Sequence, residues 1–153
     1  MDHEHEDIFD RIMALPGLRM FEGFYRKNKD VLLYIFFGGL TTIVSIGSFI
    51  LADSVLEINE LIANILSWIC AVSFAYATNR VWVFHSQAKG REIFSEALSF
   101  FSGRLATLGI EEVLLLVFVT VLHLNAALIK TAAQFVVLVL NYFISKLLVF
   151  RKK

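Results

Sequence analysis

Two matching pairs of long apolar runs constrain this chain more than anything else in it. FFGG at Phe36–Gly39 is echoed by FFSG at Phe100–Gly103, and NRVWVF at Asn79–Phe84 by SKLLVF at Ser145–Phe150, at spacings of 64 and 66 residues. Each half holds two apolar runs, so the chain reads as a duplicated helical hairpin in a membrane. Val31–Ala52 and Leu61–Asn79 contain no charged residue, and each approaches the roughly 20 residues that cross about 30 Å of hydrocarbon. Ile93–Leu122 and Ala126–Phe150 are long enough but carry charges, and the repeat assigns them as spans. With 58% hydrophobic residues and a mean hydropathy of +0.70, a soluble globule of this sequence would be unusually apolar. The expected fold is an all-α polytopic membrane protein with four transmembrane helices at about 31–56, 61–84, 93–122 and 126–150.

Orientation follows from the basic residues. Arg11, Arg19, Arg26, Lys27 and Lys29 precede the first span, Arg80, Lys89 and Arg91 flank the connection between the second and third, and Lys146, Arg151, Lys152 and Lys153 close the chain. The opposite loops, Asp53–Glu60 and His123–Asn125, hold no Lys or Arg. The positive-inside rule then places both termini and the middle loop in the cytoplasm. Residues 8–25 set Ile8, Phe9, Ile12, Met13, Leu18, Phe21 and Phe24 among charges, with a break at Pro16 and Gly17. This predicts an N-terminal amphipathic helix on the cytoplasmic interface within a segment 1–30, ahead of the membrane domain at 31–153; a soluble docking helix is the alternative. The acidic opening lacks a signal-peptide pattern. His3 and His5 read as part of a solvated terminus rather than as metal ligands, and Cys70, the single cysteine, as a small core residue.

Ala63, Ser67, Ala71 and Ala75 recur every fourth residue of the second span, a stripe that lets another helix approach closely. Because four helices enclose little volume, the stripe also suggests a homo-oligomer, most simply a dimer. Ser95, Ser99 and Ser102 form a small polar stripe where the third span enters the membrane.

Charges inside the apolar runs raise the question of function. Arg104, Glu111, Glu112 and Lys130 lie within them, where an unpaired charge costs on the order of several kcal/mol. Arg104 and Glu111 share a helix face two turns apart, so the sequence predicts that their side chains nearly meet. Glu112 turns about 100° away. On the fourth span Lys130, Gln134, Asn141 and Ser145 fall on one face, which should look into the bundle or a wet cavity. Arg80 and Lys146, matched by the repeat, mark the cytoplasmic rim beside Trp82, and Asn64 enters the second span at the outer level. Their bland reading is interfacial anchoring. Cations thus run from inside to outside: Arg80 and Lys146, then Arg104, then Lys130.

TNRVWVF closing the second span, EALSFFSGRL opening the third, a lysine early in the fourth and a final LNYFISKLLVF together resemble the GtrA-like membrane proteins, in particular the branch associated with teichoic-acid glycosylation in Gram-positive bacteria. The resemblance covers about Val31–Lys153. It implies residence in the bacterial cytoplasmic membrane and translocation of a polyprenyl-phosphate-linked monosaccharide to the outer leaflet, where cooperating glycosyltransferases use it. Residue by residue, the family pattern transfers to Asn79, Arg80, Arg104, Glu111, Lys130, Asn141 and Lys146. Arg and Lys suit a lipid phosphate, while Asn64, Trp68, Gln134, Glu111 and Asn141 offer the amides, carboxylate and aromatic face that a sugar needs.

Two rivals remain. A non-transporting subunit would position a glycosyltransferase in the membrane. A small proton-coupled multidrug exporter would need an acidic site, which Arg104 and Lys130 oppose. The sequence shows no metal cluster, nucleophile motif or phosphate-binding glycine loop, so no catalytic residues, cofactor or metal are expected, and no nucleic-acid partner either.

Overall fold

The computed structural model describes residues 8–150 apart from Ala14 and Pro16; His3, His5 and the basic close Arg151–Lys153 lie outside the described residues. All regular structure among them is helical. A short helix α1 (Ile8–Met13) and a 3₁₀ turn (Arg19–Phe21) lead into four long helices. These are α2 (Glu22–Ile50), α3 (Glu60–Thr78), α4 (Arg91–Leu115) and α5 (Ala126–Ile144).

Each long helix widens into a π-helical turn at its C-terminus: Leu51–Val55, Asn79–Val83, Leu116–Val121 and Ser145–Val149. In each, the amide of the capping residue reaches back five positions, as from Phe84 to the Asn79 carbonyl and from Phe150 to the Ser145 carbonyl, both at 2.8 Å. The first three then turn through a non-glycine residue with positive φ, namely Glu57, His85 and His123. The next amide but one bonds six positions back, from Ile58 to Ala52, Ser86 to Arg80 and Leu124 to Phe118. Last-turn carbonyls that would otherwise be orphaned in an apolar medium are satisfied this way.

The segment 8–25 does not form one amphipathic helix. Only Ile8–Met13 is helical at its start, while Glu22–Asp30 runs on into α2, with non-helical φ/ψ only at Asn28. Helix α1 instead folds onto the foot of α2. Phe9 sets its ring edge against Phe36 and Phe37 at 5.8 and 5.7 Å, and Lys29 donates to Asp10 at 2.6 Å. Burying the Phe9 ring against two others outweighs leaving it in a strip along one helix.

Short loops make α2 and α3 one antiparallel pair and α4 and α5 another; these are the two most extensive helix contacts. The stripe Ala63, Ser67, Ala71 and Ala75 is buried inside the single chain, so it serves internal packing and does not argue for a second copy. In the other pair the close approach falls at Gly103, where a Cβ would lie 2.9 Å from a γ-methyl of Ile144. Gly103→Leu is accordingly expected to wedge α4 from α5 and cost about 1–3 kcal/mol, read as a lower unfolding midpoint in a detergent titration; an unchanged midpoint would contradict the close packing.

Segments Glu22–Val55, Ile62–Val83 and Leu128–Val149 are long and apolar enough to cross a membrane. The segment of α4 and its π turn, Arg91–Val121, has the length but carries six charges along it. The dense core is aromatic and sits at one end of the bundle, where α2 and α4 begin and α3 and α5 finish: Tyr34, Phe37, Phe84, Phe100 and Phe150. Elsewhere large apolar side chains such as Ile43, Ile65, Leu105, Phe135 and Val139 point outward, an arrangement that water would penalise and hydrocarbon would not.

Candidate functional site

At the core end, two constellations repeat 66 positions apart. The Arg80 guanidinium donates to the Tyr76 hydroxyl at 3.3 Å and lies 3.5 Å from the Glu96 carboxylate. The Lys146 ammonium donates to the Tyr142 hydroxyl at 3.0 Å and to Asp30 at 3.2 Å. Adding the offset to Tyr76, Arg80 and Asp30 gives Tyr142, Lys146 and Glu96. The cation at the end of α3 therefore meets the start of α4, and the cation at the end of α5 meets the start of α2. Between them Phe84 and Phe150, also 66 apart, stack at 4.9 Å. Tyr76 packs on Phe100 at 5.6 Å as Tyr142 packs on Tyr34 at 5.3 Å.

The two differ in burial. The Arg80 and Glu96 side chains are 18% and 7% exposed, those of Lys146 and Asp30 each 45%. Glu96 is also held by the Tyr76 hydroxyl at 2.9 Å and by a short hydrogen bond from Ser86, while Arg80 donates again to the Ala88 carbonyl at 2.6 Å. Arg80 is thus locked into the protein, beyond the anchoring role that its position alone suggests.

Arg104 does not meet Glu111. Its guanidinium donates to the Tyr34 hydroxyl at 3.3 Å and lies 4.7 Å from the centroid of the Phe100 ring. No carboxylate among the described residues comes within salt-bridge distance of it. Glu111, buried, accepts from the Gln134 amide at 2.7 Å. One turn closer to the rim, the buried Thr107 hydroxyl bonds Asn141 Oδ1 at 2.9 Å. The seam between α4 and α5 is therefore a ladder of neutral and singly charged hydrogen bonds, and the polar face of α5 looks at α4 through Gln134 and Asn141. Two turns along one helix separate Arg104 from Glu111, and each found a nearer partner on a neighbouring helix. Losses from Arg104→Leu and Glu111→Leu are consequently expected to add within about 0.5 kcal/mol; recovery in the double mutant, measured by unfolding in detergent, would restore the pairing.

Lys130 lies exposed beside Glu112, and together with Leu116 and Thr120 they line a cleft of about 340 Å³ toward the far end. No carboxylate among the described residues pairs with Lys130. Asn79 is buried with its Oδ1 lacking a hydrogen-bond partner. Asn64 is exposed, and Trp68 spends its ring on Phe101 at 6.0 Å. The structure so distributes the expected residues over three levels: Arg80, Asn79 and Lys146 at the core end, Arg104 and Asn141 further in, and Glu111, Gln134 and Lys130 toward the other end.

Sequence reasoning missed Asp30, Tyr34, Tyr76, Glu96, Thr107 and Tyr142. Applying the repeat offset to Arg80 and Lys146 would have found four of them, because tyrosine precedes each cation by four residues and an acid lies in the N-terminal third of the helix it faces.

Comparison with known proteins follows the same helices. The family described as the GtrA/DPMS transmembrane domain matches residues 33–150. Among similar proteins are the membrane protein YwcD of Bacillus subtilis, 36% identical over 78% of this chain and 95% of its own length, and the cell wall teichoic acid glycosylation protein GtcA of Listeria monocytogenes, 36% identical over 81% of this chain and 86% of its own. GtcA of Listeria innocua is 34% identical over 83% and 89%. No solved structure matches. With the match running from the foot of α2 to Phe150, and so through every helix that contributes a cation to these levels, the chain is a membrane protein of the GtrA/DPMS transmembrane-domain family.

Proposed function

We propose that the chain crosses the bacterial cytoplasmic membrane four times as a duplicated hairpin, with α1 at the inner interface and both termini and the 84–90 loop in the cytoplasm, and that it carries a polyprenyl-phosphate-linked monosaccharide to the outer leaflet. The GtcA relatives carry teichoic acid glycosylation in their names, and cell-surface or teichoic-acid glycosylation by a partner glycosyltransferase is the process this movement would serve. The protein acts as a transporter and not as an enzyme.

One observation carries the reading: Arg104 and Lys130 stand at two depths with no carboxylate partner among the described residues. A cation kept without an internal counter-charge in or near hydrocarbon is stabilised when an anion arrives, and guanidinium suits a phosphate through paired N–H donors. The prenyl tail stays in lipid, so only the head needs a path. Asn141, Glu111 and Gln134 supply hydrogen-bonding groups between the two cations, and Asn79, Arg80 and Lys146 frame the inner entrance, with Asn64 and Trp68 along α3. The positive charges of Arg104 and Lys130, neither within salt-bridge distance of a carboxylate among the described residues, also argue against an exporter of cationic compounds.

Removing the gene from its host and comparing surface polymer before and after complementation tests the role. Loss of the sugar, with lipid-linked sugar retained in the inner leaflet, is expected; normal decoration would overturn it. A homodimer is proposed on the small enclosed volume alone, and native mass spectrometry in mild detergent showing only monomer would remove it.

A further inference from the structure

The core end also holds a cleft of about 590 Å³ between the 84–90 loop, the start of α4 and the end of α5, within the roughly 300–1,000 Å³ typical of small-molecule sites. We propose that this cleft is a glycosyl-binding site: the station at which the uncharged sugar ring of the lipid-linked substrate is held at the inner face before its phosphate reaches Arg104. The proposal rests on the transport reading and adds to it the residues that read the sugar.

Its chemistry selects a polyol over an anion. Glu92, Ser95, Glu96 and Ser99 fall on one face of α4 at spacings of three and four, and all four line the cleft with Gln87 and Phe150. Among the described residues the lining has two carboxylates, the imidazole of His85, and no lysine or arginine. Arg80 already neutralises Glu96, which also accepts from Tyr76 and Ser86, whereas Glu92 is exposed. A phosphate placed here would face the Glu92 carboxylate with only the His85 imidazole among the described lining residues to set against it, but a sugar hydroxyl would donate to Glu92. The Ser99 hydroxyl gives its proton to the Ser95 carbonyl at 2.8 Å and keeps its lone pairs for an incoming donor. At the wall, Phe150 is buried and fixed in place by stacking on Phe84 at 4.9 Å and Tyr76 at 6.1 Å, and its edge with the exposed Leu148 gives the cleft an apolar side for the C–H groups of a sugar ring. Fixed aromatic surface beside a few placed polar groups is the usual make-up of a ligand site.

Depth fits as well. In the topology proposed above, a lipid-linked sugar at the inner leaflet projects from the hydrocarbon at the level of the aromatic core end, beside the cleft. On α4, Ser95 and Arg104 are nine residues apart, which is half a turn in azimuth and about 14 Å along the axis. Sugar in the cleft and phosphate at Arg104 are therefore successive positions of the head and not one pose.

The test compares binding of farnesyl phosphate with farnesyl phosphate carrying glucose, galactose or N-acetylglucosamine, to the full-length protein in detergent. At least one sugar-bearing probe is expected to bind tighter than farnesyl phosphate. Ser95→Trp, which fills the cleft from an exposed position, should abolish that preference and leave farnesyl phosphate binding within about twofold, and the near-isosteric Glu92→Gln should weaken the preferred probe about tenfold. Equal binding of all probes to the natural protein would overturn the proposal, as would a sugar preference surviving in both variants. Sugar-selective binding that depends on the cleft, in a protein that moves no lipid across liposomes, would instead keep the site and discard the transport reading.

Discussion

Lys130→Gln is expected to abolish surface glycosylation in cells in which the variant protein inserts at natural abundance, while Lys130→Arg keeps part of it. The reasoning starts from position. Lys130 opens the second turn of α5 and lies exposed in the far-end cleft beside Glu112, without a carboxylate within salt-bridge distance among the described residues. If it receives the lipid phosphate near the outer leaflet, the charge is what matters: glutamine removes it, and arginine preserves it with a different shape. A lysine that only snorkels gives the opposite result, because a neutral amide near the interface leaves no buried charge behind. Sugar content of the surface polymer at matched membrane abundance decides between them, and normal decoration with glutamine would remove Lys130 from the path.

The largest stability effect should come from Glu96→Ala. It leaves the Arg80 guanidinium, 18% exposed, beside the Tyr76 hydroxyl with no counter-charge, and breaking a largely buried pair from one side costs about 3–5 kcal/mol. Its repeat counterpart calibrates this. Asp30→Ala breaks a contact of similar geometry between side chains that are 45% exposed, for which about 0.2–1 kcal/mol is expected. Arg80→Met combined with Glu96→Leu should recover much of the first loss, since the pair leaves together. Equal destabilisation by Glu96→Ala and Asp30→Ala, in detergent unfolding, would show that burial does not separate the two constellations.

The helices themselves were legible in the sequence. Uninterrupted apolar runs at Val31–Ala52 and Leu61–Asn79 and the echo of NRVWVF in SKLLVF set the boundaries of α3 and α5 with its π turn and the end of α2 to within a few residues, while α2 starts at Glu22, nine residues before the expected span. Partners across helices were not. Arg104 and Glu111 share a face of α4, yet spacing along one helix says nothing of what stands opposite, and Tyr34 and Gln134 stand there instead. The small-residue stripe on α3 signalled close packing correctly and not which surface fills it. The amphipathic reading of the N-terminal segment included Phe9 but not its packing on Phe36 and Phe37, which are distant in sequence. Glu96 and Tyr76 drew no attention as single residues; they become visible only as one half of a repeated constellation whose other half contains Tyr142 and Asp30.

Sidedness of a short-chain polyprenyl-phosphate sugar in liposomes that hold this protein and nothing else tests the central claim most directly. The account predicts protein-dependent movement of the labelled head group from one leaflet to the other, lost with Arg104→Gln and with Lys130→Gln. Label that stays in its original leaflet, with natural protein shown to be inserted and folded, would contradict the claim.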